Sequence, residues 1–318
     1  MKKYLWLIIA FSLILIGCIV FCGVMMALDW DFSKLATAKN ETNKYTVSDD
    51  FQNISIVTDT ADITFIPSED TQCHVVCYEY EKAKHSATVV DGTLSIKISN
   101  TMAWYDYIGL QFGTPKITLY LPKAEYAALS INGSTGDIKI PEQFTFADTD
   151  IALSTGDVTF SAIAATAVKI KTSTGKICVN NTFAESLDLC ASTGHITLSS
   201  VTCRKDVSCD VTTGDIQMDN LRCNNLFSDG DTGDLTLQNV FAAEKFSIVR
   251  STGHIKFEKC DAAEIYAETD TGNVSGSLLS NKVFITEADT GRVIVPNSTS
   301  GGKCEIKTNT GDINITVN

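Results

Sequence analysis

Hydrophobic and polar residues alternate along most of this chain, in short blocks on either side of a recurring Thr-Gly pair. The glycine of the pair recurs every 19 or 20 residues, at Gly136, Gly156, Gly175, Gly194, Gly214, Gly233, Gly253, Gly272, Gly291 and Gly311. The second residue after each glycine is always aliphatic, and apolar residues also recur seven positions before most of these glycines. This period of two predicts a strand with one buried face on each side of a tight turn.

A unit of two short strands cannot bury its own apolar face, whereas stacked units in parallel register bury all of their faces in one core. The repeat therefore predicts an all-β fold over residues 126–318, a parallel β-solenoid of about ten or eleven two-strand rungs. Glycine adopts a positive φ without a steric penalty. We therefore interpret the ten glycines as structural turn residues.

Residues 45–125 follow the same pattern less regularly. The segment 53–66 is predicted to be a degenerate rung in which Ala61 replaces the turn glycine. Residues 67–125 contain longer strands, including a hairpin around Asp91-Gly92. We expect residues 45–125 to form the first rung and the N-terminal cap of the solenoid. Residues 29–44 are polar and are predicted to be a linker.

Residues 1–28 differ in character, because the stretch from Tyr4 to Leu28 carries no charge. A helix of this length crosses a bilayer. Two lysines precede the stretch and two aspartates follow it, so the positive-inside rule keeps the N-terminus in the cytoplasm. We predict a single-pass anchor in the cell membrane, with residues 1–28 as cytoplasmic stub and transmembrane helix and an extracellular C-terminal domain. Lipoprotein processing at Cys18 and cleavage as a signal peptide stay open as alternatives.

The charge balance argues against a nucleic-acid partner. The chain has 38 acidic and 25 basic residues, a net charge of −13. Binding to phosphate backbones requires a basic face that neutralises them. The same charge argues against the folded part lying on anionic lipid.

The polar positions of the repeat contain residue types that can bind a metal or take part in catalysis. Asp follows the turn glycine in five of the ten units, and stacked carboxylates could bind calcium. Lys176, His195, His254 and Arg292 interrupt that column, so we expect no metal and no cofactor. His74 and His85 lie in the cap without a Cys/His cluster near them. No nucleophile elbow or phosphate-binding loop occurs in the sequence, so we expect no catalytic residue and no enzyme activity.

Eleven cysteines occur without a Cys-x-x-Cys pair, and the repeat register places most of them in the core. Cys203 and Cys223 occupy equivalent positions of adjacent rungs, a separation that permits a disulfide. Cys178 and Cys190 are predicted to face outward and to be the more reactive thiols.

The cap contains an unusual aromatic cluster, Trp104, Tyr105 and Tyr107. It could plug the open end of the core. Exposed Trp and Tyr beside an acid also suit sugar stacking or a protein partner, and contact with the membrane is a third possibility. We treat these three residues as candidate partner-binding residues.

The repeated Ser-Thr-Gly-Asp-Ile turns, first seen at Ser134–Ile138, carry a family resemblance. The segment Phe51–Ile66, the hairpin Asp91–Ile96 and the segment Ile117–Pro122 carry it as well. Together they resemble a bacterial family, domain of unknown function 4097, which bears the name "putative adhesin". The resemblance covers nearly the whole ectodomain. It implies a surface β-repeat domain and supplies no catalytic residues.

These observations predict a membrane-anchored cell-surface β-solenoid that acts as a non-catalytic, adhesin-like binding or scaffold protein at the bacterial envelope. Its expected partner is a cell-wall polymer or an envelope protein. One alternative is a regulatory accessory of an envelope-stress response, and another is a polysaccharide-active β-helix enzyme. The strand edge of the last rung, residues 312–317, could also pair with a second copy of the chain.

Overall fold

The computed structural model describes residues 2–31, 34, 39–104 and 113–318. The helix is α1 (Lys2–Ala27), and the strands are β1 (Asn40–Val47), β2 (Asn53–Thr60), β3 (Asp62–Pro67), β4 (Cys73–Tyr80), β5 (Ala83–Val90), β6 (Thr93–Asn100), β7 (Lys116–Leu121), β8 (Glu125–Thr135), β9 (Ile138–Ile140), β10 (Thr145–Thr155), β11 (Val158–Phe160), β12 (Ile163–Thr174), β13 (Ile177–Asn180), β14 (Phe183–Ala184), β15 (Ser186–Thr193), β16 (Ile196–Cys203), β17 (Asp206–Thr213), β18 (Ile216–Thr232), β19 (Leu235–Gln238), β20 (Phe241–Thr252), β21 (Ile255–Thr271), β22 (Val274–Leu278), β23 (Lys282–Thr290), β24 (Val293–Ile294), β25 (Gly302–Thr310) and β26 (Ile313–Val317).

The predicted apolar helix near the N-terminus is confirmed as α1. Residues Trp6–Ala27 have the length and composition of a membrane span, with a mean hydropathy of 3.0 in the most apolar window, and none of that window is buried. A signal sequence has the same character. The crossing of a membrane therefore remains a proposal.

The Thr-Gly units stack as rungs, which confirms a β-solenoid of about ten turns. In most rungs the strand that leads into the turn glycine is longer than the strand that leaves it, whereas β18 and β21 each run without a break from one turn glycine to the next. Equivalent residues of successive rungs pair in parallel: Val158 pairs with Ile138 on one side and with Ile177 on the other. The constant register follows from the period of two, because a slip by one residue would turn every apolar side chain to solvent.

The inward-facing columns form one continuous hydrophobic core. In the column two residues after the glycine, for example, Ile196, Ile216 and Leu235 are fully buried. Each such side chain contributes about 1.5–3 kcal/mol on burial, and the ordering of the chain offsets most of this gain. Stability therefore depends on the number of rungs that stack.

One charged side chain, Arg250, lies inside this core and is 1% exposed. Its Nη1 donates to the carbonyl of Asp229 (3.1 Å) and its Nη2 to the hydroxyl of Ser228 (2.9 Å). Its Nε has no hydrogen-bond partner within the described structure. Gly230 makes the space, because a Cβ there would lie 1.6 Å from the Arg250 Nη1.

Each of five central rungs contains a second corner that the sequence analysis did not predict. The corner residue lies six positions after the glycine and has a φ between 51° and 55°, at Asn181, Ser200, Asn220, Asn239 and Lys259. Asn tolerates this left-handed conformation better than most residues. The corner divides the part of the rung after the turn into two sides, so the rung is three-sided.

The spatial order of the rungs departs from chain order at the C-terminal end. Strand β25 pairs with β21 on one side and with β23 on the other, and β26 lies likewise between β22 and β24. The edge of Ile313 and Asn314 is therefore covered by β24, and the prediction that residues 312–317 form an exposed edge is wrong for this part of the strand. The outermost rung at this end is β23–β24.

At the N-terminal end, too, the spatial order of the rungs departs from their order in the chain. The β2–β3 rung, with Ala61 at its turn, lies between β8–β9 and an outer β6–β7 rung. The segment predicted to be the first rung is thus the second layer. Strands β5 and β4 add antiparallel to β6 and β7, and β1 adds to β4. Strand β1 begins at Asn40, so the last residues of the predicted linker 29–44 belong to the sheet.

Candidate functional site

The turn glycines follow one another along one ridge of the solenoid. Gly156 has a φ of 142°, and a Cβ at this position would lie 2.0 Å from the carbonyl oxygen of Gly136 in the neighbouring rung. Gly291 has the same relation to Gly311, at 1.9 Å, in agreement with the exchanged order of the last rungs. Both the backbone conformation and the close approach therefore require glycine.

The residue after the turn glycine, or after Ala61 in its place, holds neighbouring rungs together wherever its side chain can accept a hydrogen bond. Its side chain accepts a hydrogen bond of 2.7–3.1 Å from the backbone N–H of the equivalent residue in the next rung; we call this series the turn ladder. Asp62 accepts from Asp137, Asp137 from Asp157, Asp157 from Lys176, His195 from Asp215, Asp215 from Asp234, Asp234 from His254, His254 from Asn273, Asn273 from Asp312, and Asp312 from Arg292.

The turn ladder explains which residue types occupy this column. Asp, Asn and a neutral His can accept through a side-chain atom, and Lys and Arg cannot. Along the described rungs the series is interrupted only after Lys176. Arg292 lies in the outermost rung, where no further N–H requires an acceptor, and its Nη2 instead contacts Asp312 at 3.3 Å. The carboxylates point along the ridge, one per rung, and this spacing does not provide the six to eight oxygen ligands that calcium takes.

A groove of about 530 Å³ opens on the outer face of the cap, lined by residues of β1, β4 and β7, the end of β3 and the loop after it. Its floor includes Val76 and Tyr120, and its rim carries Lys44, Asp70 and His74. These side chains meet because antiparallel pairing of β4 with β1 and β7 aligns their outer faces. We call this feature the cap groove.

The polar rim of the cap groove is held by hydrogen bonds. His74 Nε2 lies 2.9 Å from Asp70 Oδ2, and its Nδ1 lies 3.2 Å from the hydroxyl of Thr46. The hydrogen bond from His74, with those from the Gln72 backbone and the Ser68 hydroxyl, lowers the pKa of Asp70 to about 2. An aromatic floor with a rim of both charges suits a sugar ring or a peptide.

Beneath this face, the cap contains a buried Glu79–His85 pair. The backbone N–H and the ring Nδ1 of His85 lie 2.7 and 2.6 Å from Glu79 Oε2. Asn43 donates to Glu79 Oε1 at 2.7 Å, and His85 Nε2 lies 2.9 Å from the hydroxyl of Thr58. Both side chains of the pair are 1% exposed. The network satisfies the polar atoms of the pair, which is what burial of such groups requires.

The expectation that His85 has no cluster near it is wrong, because Cys77 also reaches this pair. One ligand atom from each of Cys77, Glu79 and His85 lies within 4.8 Å of the others, and these residue types can bind zinc. Burial and the charge of Glu79 raise the pKa of Cys77 to about 12, which favours the thiol over a ligating thiolate. The contacts support a structural role. The period of two along β4, which turns Cys77 and Glu79 inward together, was the sequence signal for the cluster.

The other cysteines follow the register. Cys203 and Cys223 are buried free thiols, and burial raises the pKa of each to about 12. Cys178 and Cys190 are half-buried, and burial raises their pKa as well. The greater reactivity expected of this second pair stays a prediction.

Trp104 of the aromatic cluster belongs to the connection from β6 to β7, and the structure describes this segment at residues 101–104 and 113–115. The carbonyl of Pro115 accepts from the N–H of Asp62 at 2.9 Å and so joins this segment to the next rung. Trp104 is 75% exposed, which contradicts its role as a plug of the core. Tyr105 and Tyr107 lie outside the described residues. Met102, near the start of the segment, lines a cavity of about 160 Å³ that also reaches His85.

The stacked rungs and their glycine ridge define the class of protein, a β-solenoid built on a Thr-Gly repeat. The chain belongs to the Toastrack family DUF4097, whose model matches residues 51–219 and 204–318. The resemblance found in the sequence is thereby confirmed. A search of curated proteins gave no match.

Several solved structures from Parabacteroides and Bacteroides species are similar to this chain. A "putative adhesin" of Parabacteroides distasonis is 15% identical, with a TM-score of 0.48 over 88% of this chain and 98% of its own. A "putative lipid binding protein" of the same species is 15% identical, with a TM-score of 0.47 over 87% and 97%. A "putative adhesin" of Bacteroides fragilis is 17% identical, with a TM-score of 0.41 over 87% and 97%. At these TM-scores the similarities carry no argument about what this chain binds.

Proposed function

We propose that this protein is a membrane-anchored β-solenoid of the bacterial cell surface that binds an envelope component and catalyses no reaction. The observation that carries the proposal is the turn ladder. The Asp and His side chains of the turn column join successive rungs, one per rung, and within the described repeat they do not converge on a cavity. Enzymes that act on polysaccharides place a pair of carboxyl groups about 5–10 Å apart across one cleft.

The proposed location follows from α1 and its flanks. The helix is apolar throughout and long enough to cross a bilayer. The lysines before it place the N-terminus in the cytoplasm and the solenoid outside. The acidic solenoid then extends away from a membrane surface that repels it.

The proposed partner is a cell-wall polymer or an envelope protein, and the proposed contact surface is the cap. The cap groove supplies Tyr120 and His74. The segment at the outer turn supplies the exposed Trp104, with Tyr105 and Tyr107 as further candidates. Aromatic side chains are strong contributors at such surfaces because they bury a large area for few rotatable bonds.

The test is co-sedimentation of the full chain, in lipid nanodiscs, with isolated cell-wall sacculi. A first variant carries Tyr120→Ala and His74→Ala, and a second carries Trp104→Ala, Tyr105→Ala and Tyr107→Ala. Phe227→Ala is the matched control, because Phe227 is an exposed aromatic residue far along the repeat. The same proteins are then used to capture envelope proteins from solubilised membranes.

We expect one cap variant to lose at least ten-fold in binding, with unchanged binding by Phe227→Ala. Equal binding by both cap variants and the wild type would contradict the cap as the contact surface. Absence of binding by the wild type to sacculi and to envelope proteins would contradict the proposal and favour a regulatory role in envelope stress.

A further inference from the structure

The two ends of the solenoid differ in how they are covered. At the N-terminal end, β1, β4 and β5 continue the sheets beyond the last rung in antiparallel fashion. At the other end the outermost rung is β23–β24, and within the described structure no further strand pairs with its outer edge. We call this surface the open end.

Core side chains at the open end are exposed because no further rung packs against them. Val293 occupies the same core column as Ile313, which is fully buried one rung inside, yet Val293 is 42% exposed. Phe284 lies in the column of the buried Cys304 and is only partly covered. Ile285 and Ile294 add exposures of 50% and 57%. A core that ends in apolar side chains and unpaired strand edges is a site for association.

We propose that the open end binds a second copy of this chain, with β23 of the two copies pairing antiparallel about a two-fold axis through Thr286. This is the centre of the nine-residue strand Lys282–Thr290, so the register uses its whole length. On the core side it places Phe284 opposite Ala288, a large residue against a small one. On the outer side it places Ile285 opposite Glu287. Interdigitation of large and small residues is what a packed core requires.

Charge disfavours the registers shifted towards the end of the strand, and the register centred on Ile285 pairs fewer residues of β23. Centring the pairing on Glu287 would oppose that carboxylate to its own copy, and centring it one residue further would oppose Glu287 to Asp289. Like charges directly opposite one another destabilise a strand pair. Centring the pairing on Thr286 opposes each acid to an aliphatic residue.

The contact is small, so the pairing is weak. Strand β23 is about 30 Å long, and a strand with its side chains is about 10 Å deep. The contact then covers on the order of 600–1,000 Å² in total, below the roughly 1,600 Å² of a standard interface. Such pairing becomes effective only where copies are concentrated.

The position of the anchor determines where pairing can occur. The membrane anchor proposed above, α1, precedes β1 in the chain, and β1 lies in the cap at the far end from β23. In the paired state the two anchors lie at opposite ends of a double-length rod. This geometry suits two copies in facing membranes better than two copies in one membrane.

The pairing is tested by sedimentation equilibrium of the full chain in detergent micelles over a range of protein concentrations. Ile285→Glu places carboxylates opposite each other in the proposed register, and adding Glu287→Lys to it makes opposite charges face each other. Ile163→Glu is the matched control, because Ile163 is 42% exposed in the repeat and far from the open end.

We expect a concentration-dependent dimer whose Kd rises about ten-fold or more in Ile285→Glu. The Kd should return to within about three-fold of the wild type in Ile285→Glu/Glu287→Lys, and Ile163→Glu should leave it unchanged. A monomer at all concentrations would overturn the proposal. A dimer unaffected by Ile285→Glu, or not rescued by the double variant, would do the same.

Discussion

Substitution of Lys176 by Asn should stabilise the solenoid, because it completes the turn ladder at the interrupted junction. Lys176 donates its backbone N–H to Asp157 at 2.7 Å, but its ammonium group cannot accept from the N–H of His195. Asn supplies a side-chain carbonyl oxygen, as Asn273 does for Asp312 at 2.8 Å. Asn suits this junction better than Asp does, because Asp would place a second carboxylate one rung from that of Asp157 and the two would repel.

The expected gain is that of one hydrogen bond. A hydrogen bond contributes about 0.5–1.5 kcal/mol net, and the solvent exposure of the ridge places this one near the lower value. A gain of that size raises the midpoint of thermal unfolding by about 1–3 °C in a domain of this size. The measurement is thermal unfolding of the full chain in detergent micelles, followed by circular dichroism in the β-sheet band.

Two further variants serve as controls, one that should bring no gain and one that should lower the stability. Arg292→Asn, at the end of the ladder, should bring no gain because no rung follows it. Asp234→Ala should lower the midpoint by a similar amount, because it removes the acceptor of a 2.7 Å hydrogen bond from His254. The reasoning is refuted if Lys176→Asn and Asp234→Ala both leave the midpoint unchanged.

Three other predictions concern the core and the second corner, with the same unfolding measurement. Arg250→Met should stabilise by about 1–3 kcal/mol, because it removes a buried cation with an unpaired Nε and fills a similar volume beside Gly230; a lower midpoint would contradict this. Lys259→Asn should add about 0.5 kcal/mol at a φ of 54°, whereas Lys256→Asn, on a strand, should not. Burial raises the pKa of Cys203 and Cys304 from 9.0 to about 12. The unfolded chain therefore loses these thiol protons at a lower pH than the folded chain, and the midpoint should fall as the pH rises from 9 towards 12. A midpoint that stays constant over that range would refute this prediction.

The repeat could be predicted because its signals are local. A turn glycine and a period of two are both properties of a few adjacent residues, and they determine the rung and its register. The second corner has a weaker signal, because Asn fills it in three rungs but Ser200 and Lys259 fill it in others. A corner with a left-handed backbone conformation cannot be recognised from the sequence of one repeat when different residue types fill it.

The order of the rungs could not be predicted from the apolar pattern, because all rungs present the same columns. The rung of Val293 and the rung of Ile313 would pack equally well against Val274. Arg292 is compatible with the end position because it cannot accept in the turn ladder, but Lys176 shows that such a residue also occurs inside the stack, so this signal alone does not determine the order. The buried Glu79–His85 pair was missed for a related reason, since it joins strands whose contact depends on how the cap closes.

The unequal ends of the solenoid restrict how copies can assemble. A head-to-tail contact, repeated, would build an open filament. Here β1, β4 and β5 add antiparallel strands at one end, so the open end of one copy meets no parallel rung with the same core columns at the cap of the next. Each copy has one open end, so contact between two open ends leaves none for a third copy. The structure therefore predicts a dimer at high concentration and no larger species, which sedimentation of the wild-type chain distinguishes directly.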